Sequence, residues 1–316
     1  METKFGFLPC IERFEPMEAL KHAVEAERIG FDSIWVDDHF SPSAMLTESA
    51  FAWSWMASAL QATERVFFST AVTAPIMRYN PAIVAQAFAT MGVMYPGRVG
   101  IGVGAGEELN EVCVVGCDWP SPGERLDMLV EALAVMNDLW ISNEPRSSSG
   151  KYYRLSNAEL VTKPKDRIPV YFSGMGPRAS KMAGFYGDHL ITMATDPKLV
   201  HNIIFPNFEA GAREAGKDPN KMERAVLLMY LYDPDHLIDP KMFNMVPEDL
   251  KKEVILALKM DVISEVLIGH SAEDFIRRIE ELKAVGFDHL IFGNMSMDGD
   301  SGVKVFEDIL PHVVQY

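Results

Sequence analysis

Positive charge is scarce in this chain. Its 45 acidic residues face only 29 Lys and Arg, a net charge of −16 over 316 residues. So acidic a surface repels phosphate backbones and anionic headgroups, which predicts no nucleic-acid and no membrane partner. Cysteine is scarcer still, with Cys10, Cys113 and Cys117 only. An odd number builds no disulfide framework, and Cys113 and Cys117 have no second Cys or His cluster nearby to complete a zinc site. The expectation is free thiols, no metal and a reducing cytoplasm. No uncharged apolar run reaches bilayer-spanning length, and METKFGFLPC lacks an apolar core behind a basic start, so neither a membrane helix nor a signal peptide is expected. A G-x-G-x-x-G turn opening the first helix is also missing, which counts against an open dinucleotide-binding sheet.

What is present is alternation. Apolar runs read as strands at 4–9, 33–38, 66–74, 98–106, 169–174, 189–194, 225–232 and 289–295, with amphipathic helix patterns between them, several ending in Gly. The strand runs are apolar nearly throughout, as strands covered on both faces are. Eight such units fit an α/β (β/α)₈ barrel, a fold that typically needs ~250 residues. A single domain over 1–316 is expected. Residues 150–160 interrupt the alternation as a hairpin insertion, and 237–265 is the least regular stretch.

Barrel chemistry sits at the C-terminal strand ends. The second run ends WVDDHFSP (35–42), where Asp37, Asp38 and His39 follow two large apolar residues. A carboxylate there suits fixing a cofactor or the imidazole, and a histidine suits proton exchange with substrate. A capping aspartate and a structural histidine suit the pattern equally. The fourth run ends GVGAGEELNE (102–111): its glycines admit a flat ligand, and Glu107, Glu108 and Glu111 are candidates for a raised pKa, although a Gly-rich strand end with an acidic first helical turn reads the same. The fifth runs into SGMGPRASK (173–181), where free amides and Arg178 or Lys181 would hold a phosphate, unless this is a plain turn with Pro at the first helical position. Small residues close the third run at 71–74 and would admit a planar ring.

VDDHFSP (36–42), PIMRYNPAIVAQAFATM (75–91), YPGRVGIGVGAGEELNE (95–111), KYYRL (151–155), IPVYFSGMGPRASKMAGFYGD (168–188) and EAGAREAGKDPNKME (209–223) together resemble the luciferase-like barrel family, in the branch that uses the deazaflavin coenzyme F420. The nearest relatives are the F420-dependent secondary-alcohol dehydrogenases, with the glucose-6-phosphate dehydrogenases further off. The resemblance implies His39, Glu107 and Glu12 in the catalytic pocket, with His39 as acid/base. It implies a cofactor site of Asp38, Ala71, Val72, Ala74, Ala105, Gly106, Glu107, Asn110, Met175, Gly176, Arg178 and Ala179, with a non-prolyl cis peptide at the third strand end. It also implies a homodimer, a small-molecule substrate and an archaeal-type cofactor metabolism. The substrate half departs from these relatives. Asp196 stands where the sugar-phosphate branch has Lys, Ser43 where both branches have Trp, and Met229 where the alcohol branch has an aromatic residue. By overall similarity secondary-alcohol dehydrogenation is the leading expectation; the loss of bulky lids should open the pocket to a larger substrate, which makes methylenetetrahydromethanopterin reduction the alternative, and an FMN-dependent monooxygenase is a third.

Overall fold

A computed structural model describes residues 2–42, 46–193, 195–238 and 266–314. The segments 43–45 and 239–265 lie outside it, and with them the expectations at Ser43 and over most of the irregular stretch.

Eight parallel strands form the barrel: β1 (Lys4–Leu8), β2 (Ser33–Val36), β3 (Phe67–Thr70), β4 (Ile101–Val103), β7 (Val170–Ser173), β8 (His189–Thr192), β9 (Arg224–Tyr232) and β11 (His289–Asn294). They follow the order β3-β2-β1-β11-β9-β8-β7-β4. Parallel bridges Phe68–Val99 and Thr73–Val103 join the two ends of that path, closing the ring. The strand expectations hold, with β3 and β4 shorter than their apolar runs. A ninth strand, β10 (Val266–Gly269), was missed. It pairs with Met229–Tyr232 of β9, beyond the point where β8 leaves that edge. The hairpin expected at 150–160 begins earlier, with β5 (Arg146–Ser149) antiparallel to β6 (Arg154–Ala158). Its turn docks on the barrel through Tyr153, whose hydroxyl donates to the Ile76 carbonyl at 2.7 Å.

Why the strands read as uniformly apolar is visible in β11. Leu290 and Phe292 pack outward against helices, while Ile291 packs inward among Leu8, Trp35, Tyr171 and Leu227. Both faces of each strand are covered, so neither needs polar residues. The helices are α1 (Pro16–Ile29), α2 (Ala52–Ala62), α3 (Pro81–Met94), α4 (Glu108–Val115), α5 (Pro122–Ile141), α6 (Pro177–Tyr186), α7 (Pro197–Leu199), α8 (Phe205–Glu214), α9 (Ala272–Val285), α10 (Gly299–Lys304) and α11 (Phe306–Val313). Local signals set their ends. Pro opens α1, α3, α5 and α6; the Asn80 side chain accepts from the Ala82 amide; and Gly30 ends α1 in the left-handed region at φ 118°. Among the described residues no helix is long and apolar enough to cross a membrane.

The barrel floor is polar and fully engaged. Trp35 Nε1 donates to Ser33 Oγ at 2.8 Å, and that oxygen lies 2.8 Å from His289 Nε2. His289 Nδ1 and the Tyr171 hydroxyl meet Glu223 Oε2 at 2.9 and 2.7 Å, and Lys4 Nζ meets Glu223 Oε1 at 2.5 Å. Burial opposes the Glu223 charge, but His289 and Lys4 overcome it and hold the carboxyl well below its ordinary range. A depressed carboxylate pKa contributes stability above the unfolded-state value, and that contribution is lost as pH falls below it. Glu223→Gln should therefore cost about 2 kcal/mol at neutral pH, because hydrogen bonds to a charged group are lost. The difference from wild type in urea unfolding should shrink as pH drops below about 4.5, the ordinary value of this carboxyl. A pH-independent difference would remove Glu223 from this role.

Candidate active site at the barrel mouth

The loops after β1, β2 and β4 meet at one imidazole. His39, three residues past β2, has its Nδ1 hydrogen-bonded to Glu12 Oε1 from the loop after β1. Its Nε2 lies 3.8 Å from Glu107 Oε2, on the residue that precedes α4. Glu12 is buried, while the His39 and Glu107 side chains keep 23% and 31% of their surface, so the open side of the imidazole faces the mouth. The structure thus brings together the three expected catalytic residues. Burial works against a charged ring, yet the bond to Glu12 and the carboxylates of Glu107, Glu12 and Asp37 prevail and raise His39 to about 10. One donor atom each from Glu12, Asp37 and His39 lie within 4.8 Å of one another, a spacing a metal ion could bridge; the Glu12–Nδ1 hydrogen bond puts a proton there instead.

The neighbouring aspartates diverge, as successive residues in extended chain do. Asp37 turns toward β1 and accepts from the Ile11 amide at 3.1 Å. Asp38 turns toward β3: its Oδ2 accepts from Thr73 Oγ1 at 2.6 Å, and its Oδ1 accepts from the Tyr79 hydroxyl at 2.8 Å and Arg78 Nη2 at 3.2 Å. Asp38, expected to touch a cofactor, is 3% exposed, and its engaged oxygens secure the loop after β3. Asn110 is similar. Its Oδ1 accepts from the Phe40 and Ser41 amides at 2.8 and 3.0 Å, and its Nδ2 donates to Glu107 Oε2 at 3.2 Å. It links the two loops that carry His39 and Glu107. The raised carboxyl expected after the Gly-rich strand is Glu111, which burial pushes up to about 6 despite Arg78 alongside; Glu108 is exposed.

The glycines of β4 serve a different neighbour from the one expected. A Cβ on Gly102 would lie 1.9 Å from the Thr70 carbonyl oxygen, and one on Gly104 would lie 2.5 Å from Val72 Cγ2. They admit the chain's own third strand. Gly102 O then accepts from Thr73 N and Thr70 Oγ1, both at 2.9 Å, so the stretch 71–72 bows inward between two anchors. The Ala71–Val72 peptide is cis, as the resemblance implied. Ala71, Val72, Ala105 and Gly106 are partly exposed there, and Ala74 is buried.

Beyond β7, Gly176 caps α6, and Met175 and Gly176 are half-buried. The Ser180 amide bonds Gly176 O, so the amides of Arg178 and Ala179 belong to the helix start that has no intrahelical partner. The cations expected to assist them are engaged elsewhere. Arg178 Nη2 meets Asp127 Oδ1 at 2.6 Å, and Lys181 Nζ meets Glu214 Oε2 at 2.7 Å. An anion here would be held by backbone. Reading the sequence missed Thr73, Arg78 and Tyr79; the only signal for them was the polar triplet Arg78–Asn80 just before the proline of α3.

The profile of the luciferase-like monooxygenase family matches residues 5–236. An F420-dependent glucose-6-phosphate dehydrogenase from Kribbella flavida is 34% identical over 330 residues, covering 98% of this chain and 98% of its own. One from Microbacterium testaceum is 32% identical, covering 98% and 97%. Among solved structures, an F420-dependent secondary alcohol dehydrogenase in complex with an F420–acetone adduct superposes with a TM-score of 0.87 and 47% identity over the whole of both chains. A coenzyme F420-dependent tetrahydromethanopterin reductase from Methanopyrus kandleri shares the fold, with a TM-score of 0.78 at 19% identity.

Glu12→Gln should move the His39 titration from about 10 toward 6.5, because the acceptor at Nδ1 loses its charge. Imidazole signals followed by NMR against pH would show it, and an unmoved titration would mean that Glu12 does not hold the proton.

Proposed function

The chain belongs to the luciferase-like monooxygenase family, as one of its F420-dependent oxidoreductases, and we propose that its reaction is of the secondary-alcohol dehydrogenase type. The observation that carries the proposal is an imidazole held between two carboxylates at the barrel mouth, charged at neutral pH and open on its Nε2 side.

The residues present fit the cofactor. The bowed stretch at Ala71 and Val72, with Ala105 and Gly106 beside it, offers a small-residue wall for a flat ring, and the amides of Arg178 and Ala179 offer an anion contact for a phosphate. Asp38 and Asn110 support that wall and the loops beside it. When bound, coenzyme F420 supplies a ring that accepts or gives a hydride.

The protein's own part is orientation and protons. His39 takes the alcohol proton at Nε2 or returns it to a carbonyl oxygen, while Glu12 holds Nδ1 and fixes the ring. Glu107 faces the same mouth and would hold or supply the proton that the cofactor's ring nitrogen exchanges as the ring gains or loses the hydride. Because His39 rests in the charged form, it stands ready as an acid, and it must shed a proton before it can act as a base.

The substrate side favours an uncharged molecule. Met193, Met229 and Ile268, at the ends of β8, β9 and β10, pack half-buried against the apolar barrel interior, together with Leu46 and Ile238. Asp196, in the place of the sugar-phosphate lysine, accepts from the Lys198 amide at 2.9 Å and starts α7. A phosphorylated sugar finds no cation at that position.

Purified protein with F420 should therefore turn over isopropanol, observed as bleaching of the coenzyme absorbance. Glucose 6-phosphate and methylenetetrahydromethanopterin, assayed alongside, should give little. Turnover of either in preference to isopropanol overturns the alcohol reading, and oxygen consumption with FMN would indicate a monooxygenase. His39→Ala and Glu107→Gln should each lower kcat by ~10²-fold or more with F420 binding retained. Alcohol oxidation by wild type should rise with pH toward 10 and ketone reduction should fall, because base and acid forms of His39 are needed in turn.

A further inference from the structure

Among the carboxylates gathered at this mouth, Asp37 has no task in the reaction described above. It is 6% exposed and follows β2 directly. Oδ1 accepts from the Ile11 amide, while Oδ2 makes no hydrogen bond. A buried carboxylate oxygen without a partner is costly, and the usual escape is to take up a proton.

Its surroundings supply little positive charge. From the end of β1 come Glu12 and the buried thiol of Cys10, which burial and the charges of Asp37 and Glu12 push up and so keep neutral. Arg13, in the same loop, donates from Nε to the Ser296 carbonyl at 3.0 Å and is engaged there. Asp38 and Arg78 face each other on the β3 side. Glu107 lies across the imidazole, at Nε2. His39 is the cation of the trio. Burial and then the Glu12 charge push Asp37 up to about 7, with His39 working against them.

We propose that Asp37 is a positioning residue of the proton pair: through Oδ2 it holds one proton against Glu12, and so sets how tightly His39 keeps its own. With that proton in place, the Glu12 carboxylate is shared between a carboxyl O–H and the imidazole, and its pull on the Nδ1 proton is weaker. Once Asp37 gives the proton to solvent, two charged carboxylates hold His39, the imidazolium gives up its proton less readily, and the free-base form needed to take the alcohol proton becomes scarcer. No bond other than O–H forms or breaks, and the proton count closes on the carboxyl and water.

Asp37→Asn tests this, because its amide keeps an oxygen for the Ile11 amide and places a permanent donor where the proton would sit. In cofactor-free wild type, the His39 ring signals followed by NMR should show a small step near pH 7 before the main step near 10. The variant should lack the first step, and its main step should fall by about one unit or more. Superimposable curves would overturn the proposal. This arm is independent of the activity assigned above. The kinetic arm rests on it: alcohol oxidation by the variant should switch on at correspondingly lower pH with KM unchanged, whereas a lower kcat with an unchanged profile marks a merely structural role and also overturns the proposal. Should the variant fail to fold, infrared spectra of wild type labelled with ¹³C-aspartate decide. A protonated carboxyl band present at pH 6 and lost through pH 7 supports the proposal, and no such band at pH 6 refutes it.

Discussion

The bond between the imidazole of His39 and the carboxylate of Glu12 is the constraint on which the mouth depends. It places a cation among acidic groups that would otherwise repel one another. At an effective dielectric constant near 20, two unit charges about 4 Å apart interact by on the order of 4 kcal/mol, so the sign of each neighbour decides the protonation of the rest. The other contacts of the region converge on keeping this pair in register. Ser49 Oγ donates to the His39 carbonyl at 2.8 Å, Asn110 receives the two amides that follow His39, and Asp37 receives the Ile11 amide beside Glu12. Three loops are held by bonds that each begin or end within two residues of the pair.

Beneath the pair, the barrel supplies a rigid rim at one particular seam. β3 and β4 close the ring through bridges on either side of a bowed segment. That bow needs space, and the space comes from Gly102 and Gly104, where any Cβ would strike the backbone of Thr70 or the side chain of Val72. The buried Asp38 then fastens the far end of the bow through Thr73, while Arg78 spans Asp38 and Glu111. A surface for a flat ring is made from two strands packed closer than side chains would permit. The ring's wall and the imidazole's loop share Asp38 as their common anchor.

Much of this was legible in the sequence, and the physical reasons are specific. The strands announced themselves because both faces are covered, and the helices because Pro, Asn and Gly mark their ends. The convergence of His39 and Glu107 followed once the strand ends were placed on one face, and Glu12 joined them through the family resemblance. β10 escaped notice because four residues, VLIG, carry no periodicity of their own and follow an irregular stretch. The divergence of Asp37 and Asp38 was also hidden. Two identical residues in a row differ only in which way the chain points each of them, and that direction is fixed by partners 26 and 35 residues away. The β4 glycines were assigned to a ligand for the same reason: a glycine shows that something comes close, and the sequence does not say what. Arg178 read as a phosphate ligand because it stands at a helix start, yet Asp127 on α5 competes for it.

A balance of charges at the mouth connects these details to the choice of substrate. Arg78 answers Asp38 and, more distantly, Glu111; His39 answers Glu12. Glu107 remains as negative surplus, partly exposed, and the buried Asp37 adds to it only once it has lost its proton. A sugar phosphate entering such a mouth would bring further negative charge beside these carboxylates, at a few kcal/mol for each close pair among the described residues. A neutral alcohol or ketone brings none, and its apolar flanks meet Met193, Met229 and Ile268. The same surplus explains why protons are retained here on groups that would lose them in water, as with His39 and Asp37. A site that must supply or absorb a proton with every hydride is served by that retention.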